Sequence, residues 1–164
     1  MKESKYVGVI AAALGQPISH VRQVLRSLRE DGQIPGIRGG DLNTEHLAAV
    51  ITAVTVDLIK DAAPRARSLG ALPLHSAADL PSTAGAMLTR LVHTIVASPV
   101  LADFDLDDGY LHIGHDSIVL ECLTLSGRRA CVRYGSGKPA IAATTTTFPT
   151  SALLALATAI GNPT

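Results

Sequence analysis

The sequence predicts an α+β fold: a helical N-terminal domain over residues 1–61, a linker over 62–83, and a small α+β domain over 84–164 in which an antiparallel meander lies between two helices. Three observations predict it. Apolar residues recur at helical spacing through the first sixty positions. Residues 62–82 are rich in Ala, Pro, Ser and Gly and keep no steady period, as a linker would. Beyond residue 100 the period shortens towards alternation, broken at Asp107-Asp108-Gly109 and Ser126-Gly127, both of which read as hairpin turns.

Taken in order, Lys2 to Leu14 carries Tyr6, Val9, Ile10, Ala13 and Leu14 at helical spacing. Gly15-Gln16-Pro17 stops it, because Gly admits a left-handed cap and Pro cannot continue a helix. Ile18 to Asp31 is a second helix, with Ile18, Val21, Val24, Leu25 and Leu28 on one side and Ser19, His20, Arg22, Gln23, Arg26 and Arg29 on the rest. Gly32 ends it, and residues 34–40, including Arg38, form a compact loop or ribbon. Asn43 or Thr44 caps a third helix running to about Lys60 along Leu47, Val50, Ile51, Val54 and Leu58. Ala84 to Ala97 is a helix ended by Ser98-Pro99. Strands are expected at Leu101–Leu106 and Tyr110–Gly114, then at Ser117–Leu125 and Arg128–Tyr134. Ser151 to Ile160, behind Pro149-Thr150, is the last helix, and Thr144 to Thr147 is a small low-complexity patch.

Composition narrows the function classes. Hydrophobic residues make up 47% of the 164 and aromatics 3%, so the core is aliphatic and a base-stacking surface for single strands is not expected. Charge balances at 14 basic against 14 acidic groups, but unevenly. Residues 1–40 hold six basic groups against three acids, while residues 71–164 hold five against seven, which suits a small local phosphate-binding face. Two cysteines, Cys122 and Cys131, are too few for a disulfide framework. There is no signal-peptide pattern, and the apolar runs at 47–59 and 86–97 are too short or too polar to span a bilayer. The chain therefore reads as soluble and cytoplasmic, with no membrane partner.

The second helix can be a solvated amphipathic helix or an element that enters a DNA groove. Arginines do not separate the two, because solvated faces carry them as well. The buried side does. Ala11 stands four residues before Gly15, Val21 six after it and Val24 nine after it, with Leu14 just before the turn. A tight helix crossing needs a small residue at the contact, a turn residue free of Cβ strain and apolar residues on the inner face of the second helix. This spacing resembles the helix-turn-helix family, with one departure: Gln16 stands where an apolar residue is usual. "VLRSLREDGQIP" resembles winged helix-turn-helix proteins, whose recognition helix runs into a wing. "SLREDGQIPGIRGGDLNTEHLAAVITAV" also resembles small proteins encoded by phages and prophages of proteobacteria.

The resemblance implies binding to double-stranded DNA, as a transcriptional regulator of phage or mobile-element genes. On that basis Ser19, His20, Gln23 and Arg26 would meet base edges, Gln pairing with adenine and Arg with guanine. Arg22 and Arg29 would take phosphates, and Arg38 would reach backbone or minor groove from a wing. A homodimer is expected, since specific affinity usually comes from two copies on paired half-sites, with residues 84–164 supplying the dimer surface or a protein contact. The alternatives are a phage DNA-packaging recognition subunit of the small-terminase kind, or an interaction module without DNA binding.

Several chemical-looking signals reduce to structure. His112-Ile113-Gly114-His115 spells the signature of class I aminoacyl-tRNA synthetases, but it sits between a turn and a β run in a chain too short for one. With Asp116 and the acidic run Asp103, Asp105, Asp107 and Asp108 it does not hold a metal: the calcium-loop spacing from Asp103 reaches Gly114 where a bidentate Glu is needed. If Ser126-Gly127 is a two-residue turn, Cys122 lies opposite Cys131, a pair read as packed thiols rather than a disulfide. No Gly-x-Ser-x-Gly elbow marks a nucleophile, and Gly135-Ser136-Gly137-Lys138 lacks the spacing of a phosphate loop. His93 reads as a core or rim residue. No catalytic residue, metal or cofactor is expected, and the chain is not read as an enzyme.

Overall fold

The computed structural model describes residues 3–36, 42–75, 80–97, 100–101, 104–136 and 145–161. Within them the α+β class holds: six α-helices and a five-stranded antiparallel sheet. The helices are α1 (Glu3–Leu14), α2 (Ile18–Glu30), α3 (Thr44–Ala53), α4 (Ala62–Gly70), α5 (Ala84–Ala97) and α6 (Thr150–Gly161). The strands are β1 (Val100–Leu101), β2 (Phe104–Ile113), β3 (Ser117–Thr124), β4 (Arg129–Gly135) and β5 (Thr146–Pro149). None of these helices is long and apolar enough to cross a membrane.

The first turn forms for the reason the sequence suggests. Gly15 adopts φ +62°, and the Gln16 amide donates to the Ala11 carbonyl at 2.9 Å, closing the end of α1. Gly32, at φ +78°, ends α2 the same way, with the Gln33 amide on the Leu28 carbonyl at 2.9 Å. The α1 stripe is rotated from its expected position: Tyr6, Val7, Ile10, Ala11 and Leu14 are buried, whereas Val9 and Ala13 are half-buried.

The third helix is shorter than its apolar stripe suggests. α3 stops at Ala53, and Ile59–Asp61 makes a single 3-10 turn before α4. The Thr55 hydroxyl donates to the Thr52 carbonyl at 2.8 Å, giving the backbone a local partner in place of the next helical turn. At its other end Asn43 caps α3 through the Glu45 and His46 amides, and His46 Nδ1 accepts from the Asn43 amide at 3.2 Å. That bond needs the neutral imidazole, and burial lowers the pKa of His46.

Residues 62–70, expected as linker, are helical and packed. Ala62, Ala63, Ala66 and Leu69 of α4 are buried, and α4 touches α2, α3 and α5. A Cβ on Gly85 would stand 3.0 Å from the Gly70 carbonyl oxygen, so α4 and α5 meet where both chains lack side chains. The small residues that blurred the period are there because neighbouring helices come close. The buried residues of both halves form one continuous cluster.

In the sheet, β3 pairs one edge of β2, and β1 and β5 share the other; β4 lies beyond β3. Leu111, Ile113, Ile118, Leu120, Cys122, Val132, Tyr134 and Phe148 are buried on the inner face, towards α6 and its neighbours. The Tyr134 hydroxyl donates to the Pro81 carbonyl at 2.8 Å, and burial pushes its pKa up to about 12.

Two turns read from the sequence are corrected here. Asp107-Asp108-Gly109 does not reverse the chain; it is a bulge within β2, where the pairing with β3 jumps from Asp105↔Leu123 to Tyr110↔Glu121. The bulge is filled by Thr150, the first residue of α6. Its hydroxyl accepts from the Gly109 amide at 3.1 Å and turns its proton towards the carbonyls of Leu106 and Gly109. A Cβ on Gly109 would lie 2.8 Å from Thr150 Cγ2, so this glycine serves close approach and not turning. β5, which reaches β2 just ahead of Thr150, arises from the threonine patch and was not expected as a strand.

The second turn has three residues, Leu125 to Gly127, and not two. Thr124 N–H bonds Arg128 O at 2.7 Å and Gly127 takes φ +77°, the form that ends in a left-handed residue. Register therefore moves by one: Cys131 faces Glu121 and Cys122 faces Ala130. A one-residue slip puts side chains on opposite faces, so Cys122 is buried and Cys131 exposed, and both thiols are free. Burial pushes Cys122 up to about 11, with Cys131 and Asp105 adding to the rise.

Two outcomes are expected. Thr150→Val strands the Gly109 amide and Leu106 carbonyl in the core and lowers unfolding free energy by about 1–3 kcal/mol, whereas Thr150→Ser keeps most of it, as read by urea denaturation. In the native protein at pH 8 a maleimide labels Cys131 and spares Cys122; equal labelling without denaturant contradicts this register.

Candidate nucleic-acid interface

α2 is anchored on one side and open on the other. Val21, Val24, Leu25 and Leu28 are fully buried against α1, α3 and α4, following the stripe expected from sequence. Ile18, expected on that stripe, is instead exposed at the first turn. The turn residue Gln16 is half-buried, and the departure at this position leaves the Gly15 cap intact.

The expected contact residues separate into two groups. Ser19, Arg22, Gln23 and Arg26 are exposed together on the outer face of α2. Arg26 Nε donates to Glu30 Oε1 at 2.8 Å, one helical turn on, and this bond and charge raise the Arg26 pKa. The pair is an exposed i,i+4 contact that orients the guanidinium and adds little to stability. The amides opening α2 have no side-chain cap, because Pro17 stands at the N-cap; helix-terminal amides of this kind suit an anion.

His20 and Arg29 are only half-buried, not fully exposed. His20 Nε2 lies 3.1 Å from the carbonyl oxygen of Val54, just past α3, so the ring ties α2 to α3. Arg29, one turn beyond Arg26 on the same side of the helix, is half-buried. Arg38 lies outside the described residues. The acids at the end of α2 are occupied: besides Glu30 on Arg26, Asp31 pairs with Arg67 of α4 at 3.0 Å and accepts from Gln33 at 2.7 Å. Gln33 also donates to the Ala63 carbonyl at 2.8 Å, fixing the end of α2 against α4.

The histidines of the synthetase-like tetrapeptide sit on a strand end and a turn. His112 Nδ1 lies 2.9 Å from the Thr147 hydroxyl, and Nε2 lies 3.3 Å from Glu121 Oε2 without hydrogen-bond geometry. Arg65 of α4 donates to the Gly114 and His115 carbonyls at 2.6 and 2.8 Å, bracing that turn against the helices. Sequence reading missed this brace, because nothing near Arg65 signals a partner fifty residues on. Among the described residues no three His, Cys, Asp or Glu side chains converge as metal ligands do.

His20→Ala removes the tie to Val54 and costs about 0.5–1.5 kcal/mol, whereas Gln23→Ala and Arg22→Ala stay within about 0.5 kcal/mol; chemical denaturation of the three variants measures the contrast. No protein-family model, curated protein or solved structure matches the chain.

Proposed function

We propose that the protein binds double-stranded DNA in the cytoplasm through α2, as a sequence-specific transcriptional regulator of phage or mobile-element genes acting as a homodimer. One observation carries the reading: Ser19, Arg22, Gln23 and Arg26 share an exposed face of a helix whose opposite side is fully buried behind a tight Gly15 turn. Such a helix presents a fixed set of donors to a groove at little entropic cost. In this arrangement Gln23 offers both a donor and an acceptor to adenine, and Arg26 offers its terminal nitrogens to guanine. Arg22 and the uncapped amides at the start of α2 take phosphates. His20 contributes by tying α2 to the Val54 carbonyl, and Arg29, half-buried near the end of the helix, is left as a phosphate contact at the margin of the face.

Selection of duplexes from a random pool, followed by fluorescence-anisotropy titration at several salt concentrations, tests the reading. Arg26→Ala is expected to weaken the selected duplex by roughly tenfold or more, as loss of a base contact does, and Arg128→Ala, on the distant hairpin, by less than twofold. Arg22→Ala is expected to lower the salt slope by about one and to weaken all duplexes alike. Equal effects of Arg26→Ala and Arg128→Ala overturn the assignment of the face. Absence of binding to any duplex at low salt overturns the function.

A further inference from the structure

Among the described residues, Ile18, Leu58, Tyr110, Leu125 and Leu154 are large apolar side chains left exposed. A lone apolar residue on a surface is ordinary and asks for no ligand. Ile18 differs from the others by its place. It belongs to α2 and borders the polar face made by Ser19, Arg22, Gln23 and Arg26. It is 54% exposed, and Pro17 beside it is exposed as well, so the helix begins in a small apolar tip.

That tip is held in place. The Pro17 ring fixes φ at −59°, and the Pro17 carbonyl accepts from the Val21 amide at 3.1 Å, which closes the first turn. Ile18 is branched at Cβ, which in a helix confines χ1 to one favoured rotamer. The side chain is therefore a set of methyl groups at a fixed position, unlike the long arms of Arg22 and Arg26. Arg22 lies one turn on along the same side, and Ser19 leads from Ile18 towards the middle of the face.

Ile18 has no side-chain donor or acceptor, so it cannot read hydrogen-bonding groups. In the major groove an apolar side chain distinguishes one group, the C5-methyl of thymine. C5 is on the side of the groove near its own strand's backbone, which is where the first turn of a helix arrives when its opening amides meet a phosphate. The N-terminal residues of a groove-entering helix are also the ones that reach base edges. We propose that Ile18 packs on the C5-methyl of a thymine in each half-site, which rests on the DNA-binding function above and adds a required base to it. Gln23 and Arg26 then specify by hydrogen bonds, and Ile18 by removing a methyl group from water.

Uracil tests this directly, because it keeps every hydrogen-bonding group of thymine and lacks only the methyl. The duplex selected from a random pool is prepared with each thymine of one half-site replaced in turn by deoxyuridine, and the dissociation constant is measured by fluorescence anisotropy. At one position the wild type is expected to bind the uracil duplex roughly fourfold more weakly, the effect of exposing one methyl-sized group. Ile18→Ala is expected to bind the thymine and uracil duplexes alike, with about the affinity of the wild type for uracil. Ile18→Val, which keeps the branch at Cβ, is expected to retain part of the discrimination. Since Ile18 stands outside the core, the urea midpoint of both variants is expected to match the wild type. A wild type indifferent to uracil at every thymine, a selected site without thymine, or full discrimination retained by Ile18→Ala each overturns the proposal. A lowered midpoint for Ile18→Ala also overturns it, by committing the side chain to the core. In these outcomes the protein still binds its duplex, so the DNA-binding function stands; absence of binding to any duplex removes both.

Discussion

The fold turns on the hydroxyl of Thr150. It enters β2 at the one place where that strand leaves register, and it bonds the Gly109 amide while facing the Leu106 and Gly109 carbonyls. A bulge inside a central strand leaves backbone groups without ladder partners, and a buried orphan costs more than a made bond returns. Because Thr150 also opens α6, satisfying the bulge fixes where that helix starts. α6 in turn touches α1, α5, β2 and β5, so one side-chain oxygen sets the placement of the helices on the sheet.

From there the position of α2 follows by packing. α1 rests on α6, the Gly15 turn returns the chain, and α2 is held on α3 and α4 by its aliphatic side. Three polar ties finish the job: His20 on the Val54 carbonyl, Gln33 on the Ala63 carbonyl and Asp31 on Arg67. Each uses a group that a surface reading would assign to solvent or to a ligand. What stays open on α2 is the remainder after these ties are made, and the proposed interface is that remainder.

Legibility from sequence followed the range of the interactions. Helix ends set by glycine and by Asn43 were readable because a cap is decided within a few residues. The inner stripe of α2 was readable because periodicity reports which side faces a core. The errors arose where a distant partner overrules local chemistry. Asp-Gly reads as a hairpin turn until Thr150, 41 positions on, occupies the space a reversal would use. His20 reads as a base contact because its spacing fits, and only the end of α3 shows that its ring is occupied. The alanines of α4 read as linker since small residues mark both flexible chain and close helix contact, and only the neighbours distinguish the two.

The three-residue turn from Leu125 to Gly127 bears on how the protein meets oxidants. Had the turn been one residue shorter, Cys122 and Cys131 would share a face at the spacing where sulfurs bond most readily. With the added residue they stand on opposite sides of the sheet, one in the core and one in water. An internal cross-link is then out of reach without unpairing two strands. The length of a surface loop thus makes this chain indifferent, within itself, to the redox state of its surroundings.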